Sequence, residues 1–227
     1  MVAVNAMATL LPINGMTTSE ISNKLDVLFT PAGYVFSIWG VIYLLLAVWV
    51  VLQFKPLKEG RGHSSRIYTL FIVSCVLNIA WLLCWHYEVF AIAQLMMFAL
   101  LLALIFLYRS FTDTGFGGRL PFSIYLGWIS VASIANMSYT LKHYDISLGV
   151  SEPVGTVVLI IIAAALALAG QYIESDALFT AVFIWALVGI AQSNSDTLVV
   201  TAAYVAAAVI FVGGIAMSFL PNKKIYA

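Results

Sequence analysis

The chain has 227 residues, of which 63% are hydrophobic and only 9% charged, with zero formal net charge and a mean hydropathy of +1.04. A soluble domain carries about a quarter charged residues, so the composition excludes an ordinary soluble enzyme and points to an integral membrane protein. Zero net charge leaves no electrostatic basis for binding nucleic acid.

Apolar runs of about 20 residues fit helices, whereas barrel strands run to about 10 residues with alternating polarity. The expected class is therefore an all-α, multi-pass membrane protein. Residues 2–13 are apolar but too short to cross a bilayer alone. No cationic stretch precedes them, which argues against a signal peptide, and they read as the end of a first helix. Asn14-Gly15 breaks it, and a polar loop leads to Phe29.

Thr30 is placed as N-cap and Pro31 in the first turn of the second span, residues 31–54. Along it Phe36, Trp39 and Tyr43 recur at helical spacing on one face. Gly33, Ser37 and Gly40 make a smooth second face that lets a neighbouring helix approach. A basic loop, 55–66, precedes the third span at 67–85. His86-Tyr87-Glu88 forms a tight turn before the fourth span, 89–108. The Gly-rich loop 109–119 reads as a flexible turn; its Gly115-Phe116-Gly117-Gly118 has no strand before it, unlike a phosphate-binding loop. The fifth span covers 120–141, the sixth 153–172, the seventh 177–192 and the eighth 197–220.

Alternation gives each loop a side. One side collects Lys55, Lys58, Arg61, Arg66, Arg109, Arg119, Lys223 and Lys224; the other holds Lys24 and Lys142. Positive charge marks the cytoplasmic side, so the C-terminus is expected there, in a bacterial cytoplasmic membrane. The seventh span is the shortest, and a re-entrant segment there would move the last lysines across.

Asn78, Trp81 and Trp85 share a face in the third span. Tyr125, Trp128, Ala132 and Asn136 share one in the fifth. If these faces converge with Trp39 and Tyr43, they build an apolar aromatic cavity with a few polar anchors, which suits a small molecule. Spacing alone leaves open the other reading, in which Asn side chains glue helices together and Trp residues pack. Cys75 and Cys84, nine positions apart, lie on opposite helix faces and cannot bridge. No zinc-type Cys/His spacing occurs, and no nucleophile–base pair or catalytic motif is present. His86, at a turn, reads as a surface residue, with axial haem ligation as the alternative. His63 and His143 are loop residues.

At these residues the chain resembles a known family. Pro31-Ala32-Gly33-Tyr34-Val35-Phe36-Ser37, with Trp39 and Tyr43, is similar to the second-helix motif of the TspO/MBR family, the tryptophan-rich sensory proteins that include the mitochondrial translocator protein. Leu77-Asn78-Ile79-Ala80-Trp81 and the run from Tyr125 through Trp128 to Asn136 resemble its third- and fifth-helix patterns. Tyr34 stands where the motif has Trp, Ser37 where it has a second Pro, and Pro121 stands four positions before Tyr125. The likeness covers roughly residues 1–142. It implies a TspO-like five-helix bundle, 1–142, with a ligand cavity beneath the loop joining the first two helices, plus about three additional C-terminal transmembrane helices, 143–227.

The function this implies is a membrane binding or sensory protein for an apolar flat ligand, porphyrin-like or sterol-like, acting as sensor, carrier or regulator. Its ligand-binding residues would be Tyr34, Phe36, Trp39, Tyr43, Asn78, Trp81, Tyr125, Trp128 and Asn136. No cofactor is required; porphyrin or haem would come as ligand. The lipid bilayer is the other partner, and relatives suggest a homodimer. The alternative is a secondary transporter of a small solute, although prolines sit at span ends and no internal repeat is visible. Porphyrin degradation has been proposed in the family, but no catalytic dyad supports an enzyme here. A purely structural subunit rests only on the small-residue sixth span.

Overall fold

The computed structural model describes residues 1–10, 13–147 and 149–219. The described residues form helices and no strand, apart from an isolated Ile13–Met16 bridge. The helices are α1 Val2–Leu10, α2 Thr18–Ser22, a 3-10 turn Gly33–Ser37, α3 Ile38–Lys58, α4 Ser65–His86, α5 Phe90–Arg109, α6 Leu120–His143, α7 Glu152–Glu174, α8 Ala177–Ser193 and α9 Thr197–Ser218. Among the described residues six are long and apolar enough to cross a membrane, and α8 is a shorter apolar helix of 17 residues. The protein is all-α and multi-pass. The expected tail at 221–224, with Lys223 and Lys224, lies outside the described residues, as do Leu11 and Pro12 of the first apolar stretch.

The chain divides into two compact units. The first comprises Met1–Leu25 and Ile38–Ile129. In it α4 and α5 form a hairpin closed by Tyr87 and Glu88, with Glu88 in the left-handed region at φ 58°. Helices α1 and α2 lie against α4. The segment between them is tied to the end of α4 by His86, which is 1% exposed. Its Nδ1 donates to the Ile13 carbonyl (3.2 Å), its Nε2 accepts from the Thr18 hydroxyl (2.9 Å), and its own carbonyl accepts from Asn14 Nδ2 (3.1 Å). Lys24 and Glu88 add an ion pair. His86 is therefore not a surface residue. Both ring nitrogens are spent, so no axial haem position is free.

The second unit joins residues Asp26–Ser37 to the described residues from Ser130 onward. Asp176 caps α8 through Oδ1, which accepts from Leu178 N and Phe179 N at 3.1 and 3.0 Å. Asp196 caps α9 in the same way. Each satisfies amides that a helix start leaves without partners. Helices α7, α8 and α9 pack on one another. Gly170 leaves room for the Phe179 ring, since a Cβ there would meet it at 2.4 Å.

The second span starts differently from expectation. Thr30 is no N-cap and Pro31 opens no α-helix. The segment runs through a 3-10 turn, and the α-helix begins at Ile38. The cause is a set of bonds to α8. Ala32 N donates to the Gly189 carbonyl at 3.1 Å, and Trp185 Nε1 donates to the Val35 carbonyl at 3.2 Å. Ser193 Oγ and Asn194 Nδ2 donate to the carbonyls of Thr30 (2.7 Å) and Leu28 (2.9 Å). Gly189 makes the contact possible: a Cβ there would sit 2.2 Å from Val35 Cγ2. By contrast, a Cβ at Gly33 or Gly40 meets nothing within 4 Å, so the expected close neighbour does not lie on that strip among the described residues.

Candidate ligand-binding site

Within the first unit, α3 and α6 bring four predicted rings together. Trp39 stacks on Tyr43 one turn later, with centroids 5.4 Å apart and planes at 22°. Its other neighbours are Tyr125 at 6.1 Å and Trp128 at 6.2 Å, both edge-on. Edge-on and offset arrangements match the quadrupoles of the rings. Tyr125 is fully buried and Trp128 nearly so, at 2% exposed. Helix α6 is the most enclosed of the six candidate spans among the described residues, about two-thirds buried against about a fifth to under a half for the others.

Asn78 lies on α4 and is completely buried. Its Oδ1 accepts from Asn5 Nδ2 at 2.7 Å. Asn5 Nδ2 also faces the Met1 carbonyl at 3.2 Å. A carbonyl only accepts, so the amide of Asn5 is pinned with its NH2 towards both partners. Asn78 must then present its oxygen to Asn5, which leaves its NH2 as the uncommitted end. That nitrogen is buried and makes no hydrogen bond of ordinary geometry among the described residues, although Asn78 interacts with the Tyr125 side chain. The Tyr125 hydroxyl has a weak thioether acceptor, Met1 Sδ, at 3.7 Å. An uncommitted buried donor is costly, and it identifies where a ligand acceptor would be welcome.

The remaining predicted residues have neighbours of their own. Trp81 stacks on Trp85 of its own helix at 6.1 Å, and Trp85 meets Phe90 edge-on at 5.0 Å. Tyr34 belongs to the second unit, where it packs edge-on against Trp185 of α8 at 5.1 Å. Phe36 and Asn136 also belong to that unit, and the Asn136 carbonyl accepts from Thr140 Oγ1 at 2.7 Å. Phe36 therefore does not continue an α-helical face through Trp39, because the backbone changes from 3-10 to α between them.

A family model described as TSPO-like protein matches residues 1–216. The chain belongs to that family. The match runs well past the three motifs and takes in α7, α8 and most of α9. No curated protein and no solved structure matches the chain. In this TSPO-like protein the motif from Pro31 to Ser37 is thus held by a helix that the family match includes.

Two residue groups escaped the sequence reading. Asn5 gave no periodic signal, because it stands alone in a short helix. The second group gathers at the basic end of α3. Trp49, 1% exposed, donates through Nε1 to the Gly117 carbonyl at 3.0 Å. Gln53 Nε2 and His63 Nε2 reach the same oxygen at 3.3 and 2.9 Å. The Gly115–Gly118 stretch is therefore a fixed turn. At Gly118 a Cβ would collide with the Asp113 carbonyl at 2.2 Å. A polar Gln53 one turn after Trp49 in an apolar span was the readable signal.

Proposed function

We propose that this TSPO-like membrane protein binds an apolar, flat small molecule, porphyrin-like or sterol-like, and acts as a sensor, carrier or regulator. The observation that carries the reading is the Trp39–Tyr43–Tyr125–Trp128 ring cluster, together with the buried Asn78 amide whose NH2 is uncommitted. Aromatic walls supply area and stacking for a flat ligand. A few placed polar groups fix its orientation. Asn78 would donate to a carbonyl or carboxylate edge, and Trp39 and Trp128 would line the ring faces. Trp81, in the same unit, keeps its place in the proposal as a further lining residue. The basic loops are proposed to face the cytoplasm, in a bacterial cytoplasmic membrane. Binding without catalysis is proposed, and product analysis after illumination with bound porphyrin tests it.

The deciding experiment titrates detergent-purified protein with protoporphyrin IX and follows tryptophan quenching, beside a Trp39→Phe/Asn78→Ala variant. Saturable quenching that weakens about tenfold or more in the variant, near 1.4 kcal/mol, supports the site. Equal affinity in both proteins refutes it. Solute uptake into proteoliposomes above that of empty vesicles would instead favour the secondary-transporter alternative.

A further inference from the structure

The basic end of α3 carries a second site, remote in chemistry from the aromatic cluster. A half-open cleft of about 190 Å³ is lined by Leu52, Gln53, Pro56, Arg61, His63, Asp113 and Gly117. All belong to the first unit. Its frame is rigid. The Gly117 carbonyl gathers three donors. Tyr68 OH donates to Gln53 Oε1 at 3.4 Å and accepts from His63 N at 3.0 Å. The His63 ring lies parallel to Trp49 at 6.2 Å, with planes at 9°, and edge-on to Phe111 at 5.2 Å.

The frame decides the polarity of the groups that remain. Gly117 O can only accept, so His63 Nε2 carries the proton and Nδ1 of the neutral ring is an acceptor. Asp113 Oδ1 is occupied by Gly115 N at 2.9 Å, which leaves Oδ2. Two acceptors, one of them anionic, therefore stand in a cleft that also holds a guanidinium. Among the described residues Arg61 pairs with Glu59, two residues away and on the same loop, and its side chain is 74% exposed. An exposed pair of this kind is worth little and yields to a stronger anion. A guanidinium matches a phosphate in geometry as well as charge.

Position fixes the class of ligand further. Helix α3 spans the membrane and ends here in Lys55 and Lys58. The cleft therefore opens at headgroup depth. Its apolar wall, Leu52 and Pro56, continues into the outward-facing Val51 and Phe54, 64% and 59% exposed. Acyl chains would lie along that stripe.

We propose that this cleft binds a phosphoethanolamine headgroup, with the phosphate on Arg61 and the primary ammonium on Asp113 Oδ2 and His63 Nδ1. Two of the three N–H donors on the ammonium meet these two acceptors, and the third is left to solvent. A trimethylammonium has no N–H to give, and a glycerol headgroup has no cation for Asp113.

The test is native mass spectrometry of the full chain released from micelles holding equimolar phosphatidylethanolamine, phosphatidylcholine and phosphatidylglycerol. Matched acyl chains remove chain preference. The parent should retain phosphatidylethanolamine at least about fivefold over either competitor, near 1 kcal/mol. Asp113→Asn keeps the Gly115 cap yet should bring phosphatidylethanolamine down to the phosphatidylcholine level. Arg61→Gln should lower retention of all three lipids. Added glycerophosphoethanolamine distinguishes the sources: displacement at low millimolar concentration assigns the headgroup alone, and no displacement assigns the intact lipid. Equal retention of the three lipids by the parent, or an undiminished preference in Asp113→Asn, overturns the proposal. Protoporphyrin quenching should be unchanged in both variants, so failure here is separable from failure of the aromatic site.

Discussion

The contact at Gly189 offers a quantitative test of how the Pro31–Ser37 motif is held. In Gly189→Ala the new Cβ stands 2.2 Å from Val35 Cγ2 and 3.3 Å from Pro31 Cβ. Carbon atoms rest at about 3.5–4.0 Å, so the motif must retreat by roughly 1.5 Å. That retreat stretches the Ala32 N to Gly189 O bond from 3.1 Å and the Trp185 Nε1 to Val35 O bond from 3.2 Å, beyond useful range. Each lost bond costs about 1 kcal/mol, and overpacking adds about 1–3 kcal/mol. A total of about 3–5 kcal/mol lowers Tm by about 6–20 °C for a chain of this size. Thermal unfolding in detergent reads it. Two controls sharpen the result. Gly40→Ala, with open space around it, should not lower Tm, and its better helix propensity raises stability by up to about 1 kcal/mol. Val35→Ala should rescue Gly189→Ala, because the nearest remaining Val35 atom is Cβ at 3.4 Å. A Gly189→Ala protein that melts with the parent, or a double variant no better than the single, would refute the account.

Other expectations concern the anchoring network. His86→Leu removes the bonds to Thr18 and Ile13. It should free residues 13–18, costing about 2 kcal/mol, and limited proteolysis should cut there first; an unchanged cleavage pattern would count against the anchor. Trp49→Phe keeps the ring but not the donor to Gly117. It should cost about 1 kcal/mol, whereas loss of Tm beyond that of Trp49→Ala would contradict the assignment. The Glu20 carboxylate accepts from Thr17 N at 2.6 Å and Thr17 Oγ1 at 2.8 Å. Those bonds, the backbone one first, hold it below its ordinary value of 4.5. A lowered carboxylate stabilises the fold at neutral pH, and this contribution is lost as pH falls through the lowered value. Carbon-detected titration of Glu20 should show a midpoint under 4.5, and Thr17→Val should return it towards that value.

Much of the architecture was legible because bilayer thickness leaves few choices for apolar runs of this length. Helices α4, α5, α6, α7 and α8 begin and end within about two residues of the expected spans. The ends that slipped have local causes: α3 continues through Pro56 to Lys58. The larger miss, at Pro31–Ser37, has a distant cause. Pro31 carries a genuine helix-start signal, but partners such as Trp185, 150 residues away from Val35, set the backbone instead. Along α6 the periodicity places Tyr125, Trp128 and Asn136 on one face, and all three are buried. Trp39 and Tyr43 were legible as a pair because a single α-helical turn joins them. Asn5 was not, because its meaning comes from Asn78, 73 positions on.

The hold of α8 on the motif has a consequence for how the protein is made. Residues 28–35 leave the ribosome early, but Trp185, Gly189, Ser193 and Asn194, which fix them, follow some 150–166 positions later. During that interval the carbonyls of Leu28, Thr30 and Val35 and the amide of Ala32 lack their final partners. A nascent chain arrested before residue 185 would therefore carry the family motif without its native shape. Such a chain, inserted and helical, should still be cleavable near Ala32 until the seventh span arrives.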